Sequence, residues 1–133
     1  MHTGELAVIQ AIPMRHPRAG IDRRTVRQMI EVTVAAAFRL PVEELAAKTR
    51  RTAPVAFARQ VSMYCAHVTF GWSLTEAGAI FNRDRTTAAH ACRVVEDRRD
   101  DQELDALIEK VEDALHQWLS SIEGCRQLKG EQK

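Results

Sequence analysis

Five consecutive side chains, Arg83, Asp84, Arg85, Thr86 and Thr87, carry the hydrogen-bonding groups that read base-pair edges. A guanidinium donates bidentately to guanine, a carboxylate accepts from the amino group of cytosine, and a threonine methyl packs on the thymine methyl. His90, one turn beyond Thr86, adds a donor to the same face. A second group, Lys48, Arg50 and Arg51, is basic and sits in a polar stretch without helical period. Lysine and arginine there contact phosphates, and an arginine on a loop can enter the minor groove. Arg59, Gln60 and His67 lie on the polar side of a long helical pattern and are candidates for the DNA backbone. Each group alone also has a plainer reading: a capped surface helix, a solvated loop, a solvated polar face. Spacing by itself leaves both open.

Placing these residues requires helices, and the pattern supplies them. Asp22 caps a predicted helix to about Arg39, with Val26, Met29, Ile30, Val34 and Ala37 as its apolar stripe. Pro41 followed by Glu43 and Glu44 starts a short helix. Pro54 opens a long one to about Phe70, with Phe57, Val61, Tyr64, Cys65 and Val68 as its buried side. Gly71 ends it. Ser73, with Glu76 three residues later, forms a capping box for the next helix, and Leu74, Ala77, Ile80 and Phe81 face inward. Asn82 suits a left-handed turn position. Asp84 caps the helix that follows, on which Ala88, Ala91, Cys92 and Val95 share one face and Thr86, His90 and Arg93 the other. A short helix, a tight turn and a second helix opening with polar groups make a helix-turn-helix. The last predicted helix, about 101–122, has a seam of Leu104, Ile108, Val111, Leu115, Trp118 and Ile122. The expected fold is all-α. It has an N-terminal arm over 1–20, a helix-turn-helix domain over 21–123 and a flexible tail over 124–133.

Composition narrows the function. The 133 residues are 45% hydrophobic and 28% charged, as in a soluble single-core domain, with no apolar run of membrane-spanning length. Cys65, Cys92 and Cys125 are too widely spaced for a disulfide framework or a zinc knuckle and fit reduced thiols. No Gly-Lys-Ser/Thr phosphate loop occurs, and no nucleophile–base or paired-carboxylate constellation emerges, so no enzyme, cofactor or metal is expected. The net charge of +1 hides an asymmetry. Residues 48–93 hold seven Lys or Arg against two acids, and residues 96–123 hold three against ten. The first segment suits a polyanion.

Three ordered segments together resemble the C-terminal DNA-binding domain of the bacterial chromosomal replication initiator DnaA, from about Thr25 to Leu119. Val55-Ala56-Phe57-Ala58-Arg59-Gln60 with Ser62-Met63-Tyr64 is similar to the family's V-A-x-x-R-Q-x-x-M-Y helix. Ser73-Leu74-Thr75-Glu76-Ala77-Gly78 is similar to its S-L-x-x-I-G. The stretch from Phe81 to Ala91 is similar to F-G-R-D-H-T-T-V-x-H-A. The resemblance implies roles. Arg51 reads the minor groove of the A/T-rich part of a nine-base-pair initiator box. Asp84, Thr86 and Thr87 contact bases or adjacent phosphates, Arg59 and Gln60 lie near the backbone, and His90 shares the exposed face.

Several departures from the pattern matter: Arg85 stands for His, His67 for a Lys of some members, Thr75 for Pro and Asn82 for Gly. Arg85 is longer and always charged, so the preferred site is expected to be related to the box without being identical to it. Lys48, Arg50, Arg83 and Thr75 complete the expected DNA-binding set.

The resulting expectation is sequence-specific binding of double-stranded DNA in the bacterial cytoplasm, at the nucleoid, without ATPase activity. Such a protein regulates transcription, or competes with the full-length initiator for its sites. The alternative is a protein-interaction module that pairs through the acidic last helix, with DNA reading lost. A monomer and a weak dimer through that helix are both open, and a dimer predicts two half-sites about one helical turn apart.

Overall fold

The structure, a computed structural model, describes residues 21–47 and 52–131, with side chains through Cys125. All regular elements among the described residues are helical. Helix α1 (Arg23–Phe38) starts where the Asp22 carboxylate accepts from the Thr25 amide at 2.8 Å, and ends at Arg39 in a left-handed conformation, φ 57°. Helix α2 (Val42–Ala46) follows Pro41. Helix α3 (Ala53–Tyr64) has its proline in the first turn, where no amide is missed, and runs into a π turn at Cys65–Thr69. Helices α4 (Leu74–Ala79), α5 (Arg85–Arg98) and α6 (Gln102–Glu131) complete the chain.

Two expected boundaries differ. The helix anticipated to Phe70 stays α-helical only to Tyr64, then widens. The Phe70 amide donates to the Cys65 carbonyl and the Trp72 amide to that of Ala66, and between them Gly71 turns the chain at φ 74°. The wide turn brings both Phe70 and Trp72 into the core, 1% and 2% exposed. The last helix, anticipated to about Ile122, continues to Glu131. Gly124 lies within it, and one glycine costs a helix about 1 kcal/mol, too little to stop it.

The core lies where α1, α3 and α6 meet. Val26, Ile30 and Val34 of α1, Val61 and Cys65 at the end of α3, and Ile108, Val111 and Leu115 of α6 are all essentially inaccessible. Each such side chain contributes about 1.5–3 kcal/mol of burial. Most of the apolar seam of α6 is thus spent inside the domain, with Ile122 at its end half-buried. Leu104 and Trp118 pack against the core cluster, Trp118 edge-on to Phe70 at 6.3 Å between centroids, and Leu119, outside the expected seam, is buried too. This arrangement weighs against the seam as a free pairing surface.

Helix α6 packs on α1 and the π turn, whereas α5 packs on α3 and α4. Arg99, at the C-terminal end of α5, joins the two groups. It donates to the Tyr64 hydroxyl at 3.0 Å, to Glu112 at 3.2 Å and to Asp105. Burial pushes the Glu112 carboxyl up, and the neighbouring Arg99 guanidinium offsets part of that rise. The orientation of α5 is therefore fixed at its C-terminal end by a part-buried polar network as well as by packing.

Candidate nucleic-acid interface

The helix-turn-helix is built from short-range chemistry. Ser73 and Glu76 exchange bonds in a capping box, the Glu76 amide donating to the Ser73 hydroxyl at 3.1 Å and the Ser73 amide to the Glu76 carboxylate at 3.2 Å. At the other end of α4 the Phe81 and Arg83 amides both donate to the Gly78 carbonyl at 2.9 Å, and the Asn82 amide to that of Ala79 at 3.0 Å. Asn82 adopts the left-handed conformation anticipated for it, φ 61°. The turn closes so tightly that a Cβ at Gly78 would sit 2.8 Å from both the Arg83 and the Asp84 carbonyl oxygens. Position 78 is glycine because only a hydrogen fits there.

Asp84 then caps α5, its carboxylate accepting from the Thr87 amide at 2.8 Å. Bonds from the Thr87 amide and hydroxyl hold the Asp84 carboxyl below the usual carboxylate range. It is therefore an ionised, acceptor-only group at neutral pH. Ala88, Ala91, Cys92 and Val95 are buried as the periodicity required, with Ala88 and Ala91 against Met63 of α3. Their small side chains let α5 lie close on α3. The opposite side of α5 is open: Arg83, Asp84, Arg85, Thr86, His90 and Arg93 are exposed, as is Thr75 on α4, while Thr87 is half-buried behind its cap. Five of the expected DNA-binding residues, Arg83, Asp84, Arg85, Thr86 and His90, are therefore displayed on the turn and the first two turns of α5.

The expected backbone contacts are arranged differently. Arg59 is part-buried, and its Nη2 donates to the carbonyls of Glu44 and Ala47, both at 2.8 Å. It fastens the C-terminal end of α2 at the point where the chain enters residues 48–51. Cationic groups favour that end of a helix, where carbonyls lack partners. His67 is half-buried in the π turn with Nδ1 2.7 Å from the Trp72 carbonyl oxygen. A carbonyl only accepts, so Nδ1 carries the proton. In the neutral ring Nε2 then offers a lone pair, and it donates only when the ring is charged. Gln60 is half-buried on the same helix as Arg59. Lys48, Arg50 and Arg51 lie outside the described residues.

Three residues matter to this geometry that residue-type reasoning passed over. Gly78 enters the sequence reading only as the last letter of the Ser73–Gly78 motif, although a glycine inside a capped helix signals close approach. Arg27 and Glu31 of α1 form an ion pair at 3.0 Å, and Arg27 also donates to the Ile80 carbonyl at the end of α4, at 2.9 Å. They face a cleft of about 410 Å³ between α1, the α2 end and the turn, together with Arg59, Asn82 and Arg83. No local signal marks their tertiary partner.

No helix among the described residues is long and apolar enough to cross a membrane. The sequence model of the bacterial DnaA protein helix-turn-helix matches residues 27–95, a span that runs from α1 through the turn to the buried face of α5. The chain is 40% identical over 88 residues to the chromosomal replication initiator protein DnaA of Bordetella pertussis, covering 65% of this chain and 19% of that protein. It is 37% identical over 75 residues to DnaA 1 of Protochlamydia amoebophila, covering 56% and 16%. It is 28% identical over 99 residues to DnaA of Desulfotalea psychrophila, covering 74% and 20%. The chain thus spans about a fifth of the length of these relatives. The matched span contains the capping box, the glycine-closed turn and the exposed opening of α5, and on that combined ground the chain belongs to the bacterial DnaA helix-turn-helix family, whose domain binds DNA without being catalytic.

Proposed function

We propose that this protein reads a double-stranded DNA site related to the nine-base-pair initiator box. In this reading Arg83, Asp84, Arg85, Thr86 and Thr87 enter the major groove, with Thr75 and His90 beside them. Arg50 and Arg51 probe the minor groove, and Lys48, Gln60 and, when charged, His67 meet phosphates. Arg59 acts chiefly by holding the α2 end that precedes the basic residues 48–51. The observation that carries the reading is the exposed run of donor and acceptor side chains that opens α5, held by the Asp84 cap beside a turn with no room for a side chain at Gly78. Arg85, in place of the family's His, shifts the preferred site away from the unmodified box, since its guanidinium selects guanine or a phosphate.

The 133 residues contain no Gly-Lys-Ser/Thr loop, so the function assigned to them is site occupancy rather than nucleotide hydrolysis. Acting in the bacterial cytoplasm, the protein regulates transcription near such sites, or restrains replication by competing with a full-length initiator. Transcriptional regulation is the favoured role, because occupancy alone suffices for it.

The test is a salt titration of binding to a duplex carrying the initiator box, to box variants, and to a shuffled duplex. A specific reader prefers a box-related duplex by roughly 1,000-fold at physiological salt. Equal, weak binding to all of them refutes the reading. The unmodified box emerging as the clear optimum refutes the role given to Arg85.

A further inference from the structure

Helix α1 carries two arginines four residues apart, and they grip the two ends of α4. Arg23 lies 3.6 Å from the Glu76 carboxylate in the first turn of α4, with its guanidinium 5.6 Å from the Trp72 ring. Arg27 donates to the Ile80 carbonyl at the last turn of α4, and its guanidinium lies 5.4 Å from the Phe81 ring. The four-residue step on α1 thus matches the four-residue step from Glu76 to Ile80. The two helices have little backbone contact, and these long side chains join them beside the apolar core that both share. The Arg27 end is the stronger one. Its Nε is held at 3.0 Å by Glu31, a carboxylate only 6% exposed, whereas the Arg23 pair is open to solvent. A part-buried arginine with both a carboxylate and a carbonyl as acceptors has a fixed direction, while an exposed pair contributes little.

We infer that Arg27, oriented by Glu31, is a positioning residue for base reading: it fixes the end of α4 and hence the turn from which α5 starts. The inference rests on the assignment of 83–87 as the base-reading segment. Ile80 is the cap residue of α4, and Phe81, Asn82 and Arg83 follow it directly. Releasing the Ile80 carbonyl frees the turn amides that bond to Gly78 and Ala79. The base-reading side chains then sample more than one orientation. A buried carboxylate facing an arginine is a poor source of stability compared with apolar packing, so geometric definition is the advantage the pair offers here.

The single change Arg27→Met strands the buried Glu31 charge, which is destabilising by itself, so the decisive variant is Arg27→Met/Glu31→Leu, which removes both charges. Three quantities are measured on the full chain: melting temperature, amide exchange, and binding to box-related and shuffled duplexes across salt. The double variant is expected to melt close to the parent. Its Phe81, Asn82 and Arg83 amides exchange at least about tenfold faster, while amides in α3 and α6 stay within about twofold. Its preference for the specific duplex falls about tenfold, one base contact's worth, with an unchanged salt slope because no phosphate contact is lost. Unchanged protection of the three turn amides overturns the inference. So does unchanged preference in the variant when the parent does discriminate. A parent that fails to discriminate refutes the site-reading proposal instead, and the exchange measurement still decides whether Arg27 holds the turn.

Discussion

Gly78→Ala is the sharpest test of how the turn sets the reading helix. The added methyl would meet two backbone carbonyl oxygens at 2.8 Å, about 0.6 Å inside ordinary contact at 3.4 Å. No flexible side chain is available to yield, so the backbone of 83–84 must move away from α4. Overpacking against backbone costs about 2–3 kcal/mol. Alanine offsets about 1 kcal/mol of that through its better helix propensity. The net loss is about 1–2 kcal/mol, a fall in melting temperature of roughly 4–8 °C for a domain of this size. The displacement falls on the residues that open α5, so preference for a box-related duplex should drop at least about tenfold, with little change in binding to shuffled DNA. Gly124→Ala is the matched control: nothing lies within 4 Å of a Cβ there, and the same substitution should leave stability unchanged or raise it by up to about 1 kcal/mol. Thermal melting and competition binding check both. A Gly78→Ala protein that melts at or above the parent and keeps its preference would show that the turn is not sterically closed.

Other outcomes follow from the same contacts. Arg99→Met removes the tie between α5, Tyr64 and α6 and leaves Glu112 uncompensated, so stability should fall by about 2–3 kcal/mol in urea titration. Arg99→Met/Glu112→Leu should be less destabilised than the single change, and a double variant as unstable as the single one would rule out the stranded charge as the cause. The carboxyls of Asp22 and Asp84 are held below the ordinary carboxylate range by cap bonds, so their contribution is present above the unfolded pKa and lost as pH falls through the folded value. Asparagine caps comparably and does not titrate, so Asp22→Asn/Asp84→Asn should flatten the acid-unfolding limb seen by circular dichroism. The same Asp84→Asn change also replaces an acceptor-only group with one that donates, and should alter base preference while α5 stays folded. Burial pushes the Cys92 thiol up to about 11 and raises Cys65 further, while Cys125 is exposed. A thiol-reactive dye at pH 8 should therefore label one cysteine quickly in the folded protein and three in denaturant. Three fast thiols in the folded protein would contradict the burial of α3 and α5.

Helix starts were legible because they are local. Asp22, Ser73 and Asp84 each cap with an amide three residues away, within reach of any reading of neighbouring residue types. The buried side of α5 and most of the α6 seam were legible because helical period alone selects them. The exposed positions 83–86 with His90 followed from the same reading. The polar sides of α3 and the π turn were not legible in the same way. Arg59 and His67 have the residue types and the face of backbone-contacting groups, but the carbonyls that engage them belong to α2 and to the turn after Gly71.

The chain by itself determined that there is a helix-turn-helix, where its helices start and which side chains open the second one. Caps, turn residues and a 3.6-residue period act over one turn of chain, so residue order encodes them directly. Only the tertiary structure decided how that motif is held. It closed the turn onto Gly78, committed Arg59 to the end of α2, and brought Arg27 to the Ile80 carbonyl, 53 residues away. The reason is physical: a hydrogen-bond donor and a missing methyl acquire their meaning from whatever packs against them, and packing between distant segments is set by the whole core rather than by neighbours in sequence.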